Sequence, residues 1–267
     1  MRRVIALDLD ETLLRSDKSL SLHTLDLLRE WRERGHKIVV ATGRPPRSVA
    51  GVIPDLLQDV PWVCYNGAEV QLNGRTLFAD LMPAESARHL VGWALEALPA
   101  WRTGVEIDDT LYVNRPFDRP KHYVLSSDLL EVVHQPAAKV LFFDHRQEDY
   151  VPASIAGSDP FAPLQPLLSA LPPDTRPMLS QKYRLAQFLS ATADKAVALR
   201  FVVENLGLGM EQTIAFGDDV NDAQMVAEAG LGVAVANAAP EVLAAADRVT
   251  ASNDEDGVAL ILEELLA

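Results

Sequence analysis

Val4-Ile5-Ala6-Leu7 is an uninterrupted apolar run with two β-branched members, followed directly by Asp8. A run this short and this apolar reads as a buried strand. It stops on Asp8 and Asp10, separated by Leu9. In extended chain, side chains two apart point to the same side. Two carboxylates side by side repel each other and are costly beside a core. A divalent cation would offset that cost, and the carboxyl end of a strand is where open α/β sheets place their ligands. A lone pair of this kind also fits a strand that stops at an acidic turn, so its meaning rests on later stretches.

The 267 residues suffice for one large domain or two modest ones. No run approaches the eighteen or more apolar residues of a membrane span. The start, Met1-Arg2-Arg3, leads into a short apolar run and then acids, without the small-residue cleavage site of a signal peptide. The single cysteine, Cys64, has no internal disulfide partner and lies in an apolar run, which suggests packing in a reducing cytoplasm. A formal net charge of -14 argues against a nucleic-acid partner. It also means that an anionic substrate must be drawn in by local positive groups.

Further strands end on polar residues. Ser21 is placed to cap a helix carrying Leu22, Leu25, Leu28 and Trp31, ending near Gly35. Ile38-Val39-Val40-Ala41 follows and stops at Thr42-Gly43-Arg44. Strand, helix and strand make a right-handed crossover, so the two strands are expected to be parallel neighbours. Val60 to Tyr65 ends at Asn66-Gly67, and Asn73-Gly74 marks a hairpin between Val70 and Phe78. From Pro83 the texture changes to an α+β pattern. It has a helix over Ala84 to Leu98, strands near residues 104–107, 111–113, 139–143 and 183–189, and a proline-rich stretch from Pro152 to Pro177. Alternation then resumes: a helix from Lys195, then Thr213-Ile214-Ala215-Phe216 ending on Gly217-Asp218-Asp219-Val220-Asn221-Asp222. The expected fold class is α/β, a parallel-sheet core in two parts, 1–82 and 191–267, with an inserted α+β domain at 83–190.

If these strand ends share one sheet, Asp8 and Asp10, Thr42-Gly43, Asn66-Gly67 and the 218–222 acids converge on one crevice. The set suits phosphoryl transfer from a monoester. Asp8 would attack phosphorus, and Asp10 would protonate the leaving alcohol and later deprotonate water. Mg²⁺ would be held by Asp8 and Asp218. The Thr42 hydroxyl, the Gly43 N–H and the Lys195 ammonium would face the phosphate. Lys195 in the first turn of a helix is electrostatically unfavourable there, which favours a functional reason for it. An EF-hand is excluded by spacing, and His89 and His122 lack partners at ligand spacing. The stretch Ser252-Asn253-Asp254-Glu255-Asp256-Gly257 reads as a capping loop with no ligand role.

Asp8-Leu9-Asp10-Glu11-Thr12, Thr42-Gly43-Arg44, Lys195 and the 217–222 segment, taken in order, resemble the motif set of the haloacid dehalogenase superfamily. Asn66-Gly67-Ala68 and Asn237-Ala238 extend the resemblance to its Cof-like sugar-phosphatase branch. The resemblance implies a Mg²⁺-dependent phosphatase with a Rossmann-like parallel-sheet core and a mobile cap, the inserted α+β cap domain at 83–190. It makes Asp8 nucleophile and metal ligand, and Asp10 acid/base with its carbonyl on the metal. Asp218 is then a metal ligand, and Asp222 a water-mediated one. Leu9 (backbone), Thr42, Gly43, Lys195 and Asn221 would contact phosphate. Two positions depart from the pattern: Ala196 stands where family members usually have Gly, and Asp219 where Gly is commoner.

The expected substrate is a small-molecule phosphate ester, with no membrane partner and a monomer or weak homodimer as the assembly. A phosphomutase on hexose phosphates and a non-catalytic metal- or phosphate-binding protein remain alternatives. Within the insert, Arg115, Arg119, Lys121, His122, Lys139, Arg146, Lys182 and Arg184 are candidates for contacting the leaving group.

Overall fold

The computed structural model describes residues 2–117, 122–144, 159–180 and 184–267. The chain divides into two compact units, one made of Met1–Ala79 with Asp194–Ala267, the other of Asp80–Ala193. In chain order the strands begin with β1 (Val4–Leu7), β2 (Lys37–Ala41), β3 (Trp62–Cys64), β4 (Glu69–Leu72) and β5 (Arg75–Ala79). The second unit supplies β6 (Arg102–Ile107), β7 (Thr110–Val113), β8 (Val124–Leu125), β9 (Lys139–Phe143), β10 (Thr175–Ser180) and β11 (Leu185–Ser190). The chain then returns through β12 (Thr213–Gly217), β13 (Leu231–Ala234) and β14 (Arg248–Val249). The helices are α1 (Leu22–Glu33), α2 (Pro46–Val49), α3 (Ala84–Ala97), α4 (Leu129–Val132), α5 (Gln165–Leu168), α6 (Lys195–Asn205), α7 (Ala223–Glu228), α8 (Pro240–Ala245) and α9 (Gly257–Leu266).

The first unit is built on one sheet of order β14-β13-β12-β1-β2-β3-β4-β5. The pairings from β14 through β3 are parallel; β3-β4 and β4-β5 are antiparallel. β1 lies in the middle, where a strand must be apolar on both faces. Val4, Ile5 and Leu7 are fully buried, and each such burial contributes about 1.5–3 kcal/mol. The chain passes from β1 to β2 on one side and places β12 on the other, so a topological switch point falls at β1.

Local chemistry explains the connections. The Ser21 hydroxyl accepts from the Thr24 N–H at 3.0 Å and starts α1. That helix buries Thr24, Leu27, Leu28 and Trp31 and gives way to Gly35 at φ 83°. Leu22, on the expected apolar stripe, is 80% exposed because it opens the helix beyond the packed face. Asn73 and Gly74 both have positive φ, 51° and 73°, as a two-residue hairpin turn requires.

The second unit is α+β. Its sheet runs β10-β11-β9-β6-β7-β8, antiparallel except for β7 with β8. Leu90, Val91 and Ala94 of α3 pack with Val105, Phe142 and Phe188 on one face. On the other, Leu111, Val113 and Leu141 gather Phe117, Tyr123 and Phe143. β10 begins at the end of a stretch read from sequence as merely proline-rich. It pairs with β11 alone, and an edge strand tolerates Pro177, whose missing N–H a central strand would need. β14 also escapes sequence reading, because two exposed residues carry no apolar signal. Among the described residues no helix is long and apolar enough to cross a membrane.

Candidate active site

Four segments of the first unit leave their strands at the same edge of the sheet. Asp8 continues β1 and donates its N–H to the Phe216 carbonyl of β12 at 3.2 Å. The chain then doubles back through Glu11, at φ 63°, so that the Leu13 N–H reaches the Asp8 carbonyl at 3.2 Å. Thr42 and Gly43 follow β2, Asn66 follows β3, and residues 218–222 follow β12. α6 begins at Lys195, with the Asp194 carboxylate accepting the Ala196 N–H at 2.7 Å as its cap.

Lys195 and three aspartates converge. Its Nζ donates to Asp8 Oδ1 at 2.7 Å and to Asp222 Oδ1 at 2.6 Å, with the lysine side chain 0% exposed. Asp222 Oδ2 accepts the backbone N–H groups of Asp218 and Asp219, both at 3.2 Å. Gly217 permits this fold-back, since a Cβ there would lie 2.3 Å from the Asp222 Cβ. Asp218 Oδ1 accepts the Thr12 hydroxyl at 2.7 Å. Ligand oxygens of Asp8, Asp218 and Asp222 lie within 4.8 Å of one another.

The electrostatics follow from burying three acids with one ammonium. Burial pushes the Asp8 carboxyl well above its ordinary value; Lys195 opposes this, while Asp222 and Asp218 reinforce it. Burial pushes Asp218 up to about 7, against the Thr12 hydrogen bond and with the help of the Asp222 charge. Burial alone would lower the Lys195 ammonium, but Asp222 and Asp8 outweigh it and hold the group above its usual range. The surplus of negative charge and the hard oxygen donors fit Mg²⁺, whose opposite ligands stand about 4.2 Å apart. Asp8, Asp218 and Asp222 each offer one carboxylate oxygen that could hold a divalent ion. Both Asp222 oxygens already accept hydrogen bonds, which suits a contact through water.

A stability test follows. Unfolded, Asp218 is ionised at pH 6; folded, it keeps its proton up to about 7. The native state therefore binds more protons, and stability falls as pH rises through that value. Between pH 6 and pH 8 the metal-free protein is expected to lose on the order of 1 kcal/mol from this group. Asp8 acts with the same sign, and Lys195 stays charged throughout the window. Thermal melts in EDTA should show Tm falling by a few degrees, and saturating Mg²⁺ should flatten the profile. A Tm that is flat in EDTA, or unmoved by Mg²⁺, contradicts the site.

Asp10 stands apart from the cluster. Arg44 forks onto it, Nε to Oδ2 at 2.6 Å and Nη2 to Oδ1 at 2.7 Å, and Lys18 Nζ lies 3.1 Å from Oδ1. Burial works to raise its pKa, but Arg44 and Lys18 prevail and hold the carboxyl below its ordinary range. Leu9 is buried between the two acids. Thr42 is buried, its Oγ1 accepting the Arg44 N–H at 3.2 Å. Asn221 Nδ2 donates to Asn66 Oδ1 at 2.8 Å. Sequence reading gave no role to Thr12, Lys18, Arg44 or Asn66. Thr12, Arg44 and Asn66 sit inside motifs already singled out, and Arg44 is the one cation directly after that strand end.

The acidic stretch 252–257 does more than cap. Ser252 Oγ does bond Glu255 Oε2 at 2.7 Å. Yet Asp256 receives the Arg15 guanidinium, and Asp254 receives the Ser16 N–H and hydroxyl. Asn253 Nδ2 reaches the Leu14 carbonyl, and Asn237 Nδ2 reaches that of Glu11. The segment after Asp10 is thus pinned from the far end of the chain.

In the second unit, Arg119, Lys121, Arg146 and Lys182 lie outside the described residues. Arg115 donates to the Pro99 carbonyl, buried Lys139 to Gln187 Oε1, and Arg184 to Asp144 Oδ2. His122 is exposed. The three described cations named in the sequence are therefore engaged within their own unit.

A family profile described as haloacid dehalogenase-like hydrolase matches residues 5–262. The chain is 30% identical to the 5-amino-6-(5-phospho-D-ribitylamino)uracil phosphatase YitU of Bacillus subtilis, over 98% of this chain and 96% of that protein. It is 27% identical to the HMP-PP phosphatase of Escherichia coli, over 91% and 88% respectively. Among solved structures, it superposes on a haloacid dehalogenase-like hydrolase from Bacteroides thetaiotaomicron with a TM-score of 0.83. That match has 27% identity and covers 99% of this chain and 100% of that one.

Proposed function

The chain belongs to the haloacid dehalogenase-like hydrolases, and from that premise we propose that it is a Mg²⁺-dependent phosphatase of small phosphorylated metabolites, sugar phosphates or related esters. The observation that carries the reading is the meeting of Asp8, Asp218 and Asp222 around the Lys195 ammonium at a sheet edge. One carboxylate serves as nucleophile only if the repulsion between it and a phosphate is cancelled.

In the proposed reaction an Asp8 oxygen attacks phosphorus while the bond to the leaving alcohol breaks, giving an aspartyl-phosphate. Asp10 supplies a proton to that alcohol. Water then attacks phosphorus and gives its proton to Asp10, which returns Asp8 and releases inorganic phosphate. Asp8, Asp218 and the Asp10 carbonyl, with Asp222 through water, would hold Mg²⁺, which would supply charge neutralisation for the transferring group. Lys195, Thr42, the Leu9 and Gly43 N–H groups and Asn221 hold the phosphate oxygens. The reading places the enzyme in a reducing cytoplasm, working as a monomer or weak homodimer.

A panel of phosphate esters, assayed for inorganic phosphate with and without Mg²⁺, tests it. Release from several sugar phosphates and from p-nitrophenyl phosphate, lost in EDTA, is the expected result. Isomerised sugar phosphate without free phosphate would instead identify a mutase, and Mg²⁺ binding without any turnover a non-catalytic protein.

A further inference from the structure

Tyr65, Asn66 and Gly67 have φ of 52°, 57° and 98°. Each left-handed non-glycine residue costs about 1–2 kcal/mol, and such strain persists only where surrounding contacts over-determine it. Several of the contacts here belong to the candidate active site. The Tyr65 N–H donates to the Arg44 carbonyl at 3.0 Å, and the Asn66 N–H to that of Thr42 at 3.1 Å. Gly67 lies flat against the start of α6. A Cβ there would sit 2.1 Å from the Asp194 carbonyl oxygen and 2.7 Å from the Lys195 nitrogen. The Asn66 side chain, 1% exposed, points its Oδ1 at Asn221 Nδ2, 2.8 Å away. The same oxygen lies 2.7 Å from where a Cβ on Gly43 would be. One strained turn thus touches the Thr42–Arg44 exit, the lysine helix and the 218–222 loop.

The consequence falls on Asn221. Asp222, which follows it, is fully buried and anchored by Lys195, but Asp219 and Val220 before it are exposed, so the Asn221 side chain takes its direction from what lies across from it. Asn66 takes one of the two Nδ2 hydrogens. Asn221 Oδ1, a buried atom, has no hydrogen-bond partner among the described residues. A phosphate oxygen needs a donor, so it is the second Nδ2 hydrogen of this half-buried carboxamide, and not Oδ1, that a phosphate could use.

We propose that Asn66 is a positioning residue for phosphate-ester hydrolysis, fixing the Asn221 carboxamide toward the phosphate without touching substrate itself. The proposal rests on the phosphatase reading above. Its test is a double-mutant cycle on the full chain with Mg²⁺. Two readouts serve: kcat/KM for p-nitrophenyl phosphate and the Kd of inorganic phosphate by calorimetry. Asn66→Gly keeps the left-handed backbone at no steric cost and removes only the side chain. It is expected to lower kcat/KM and weaken phosphate binding by about 10- to 100-fold. Asn221→Ala should do the same. The pair together should be no worse than Asn221→Ala alone within about threefold, because one side chain acts through the other. Should Asn66→Gly fail to fold, Asn66→Asp retains an acceptor for Asn221. In that background Asn221→Ala should cost as much as it does in the wild type. Additive losses in the glycine cycle, or an Asn66→Gly enzyme that binds phosphate like the wild type, overturn the proposal while leaving a working phosphatase. A wild type that neither hydrolyses the ester nor binds phosphate overturns both readings.

Discussion

Asp8→Asn is expected to abolish Mg²⁺-dependent phosphate release from p-nitrophenyl phosphate, lowering kcat by at least about 10³-fold. The amide matches the carboxylate in shape but is a poor nucleophile toward phosphorus. The substitution should not unfold the protein. Lys195 would keep Asp222 at 2.6 Å as its counter-ion. Asp8 is also the acid that burial disfavours in its charged form, so removing its charge relieves a cost. Tm in EDTA is therefore expected to hold or rise slightly, even as turnover disappears. Two results would count against the assignment. Turnover within tenfold of wild type would mean that Asp8 is not the nucleophile. A Tm lower by many degrees would mean that the Asp8–Lys195 pair is chiefly a structural contact.

The core fold is legible in the sequence because its strands obey the simplest rule available. Val4–Leu7, Ile38–Ala41 and Ile214–Phe216 are apolar at every position, as strands covered on both faces must be. Each stops at a polar group, which announces the sheet edge. Where burial is one-sided or absent the signal fades, as in exposed β14 and in β10, whose alternation Pro177 obscures. Topology predicts that Asp8 and the 218–222 acids converge, whereas Lys195, which opens a helix, is expected from sequence only to face the phosphate. What no pattern could supply is the pairing of side chains across long separations. Arg44 on Asp10, Thr12 on Asp218, and Asp256 on Arg15 join residues 34, 206 and 241 positions apart. Asn66 is the instructive case. Its turn reads as an ordinary Asn-Gly exit, and only the coordinates reveal that its conformation is maintained by contacts to three separate segments.

Asp10→Asn is expected to split the reaction into its two halves. A p-nitrophenolate leaving group needs no proton, so Asp8 should still be phosphorylated by p-nitrophenyl phosphate. Hydrolysis of the aspartyl-phosphate needs a base for water, and steady-state turnover should fall by about 10²- to 10⁴-fold. Rapid mixing should then show a burst of p-nitrophenolate approaching one equivalent per enzyme, followed by a slow phase. With an alkyl ester such as glycerol 2-phosphate the leaving group does need a proton, and the burst should vanish. The resting geometry gives this test its edge. Arg44 and Lys18 hold Asp10 ionised, the state that accepts a proton from water, so the carboxylate is set for the second half. The first half needs its conjugate acid, and for that the Arg44 fork must give way when an ester arrives. A variant that slows both esters equally and shows no burst would make Asp10 the anchor of Arg44 and Lys18 rather than a carrier of protons.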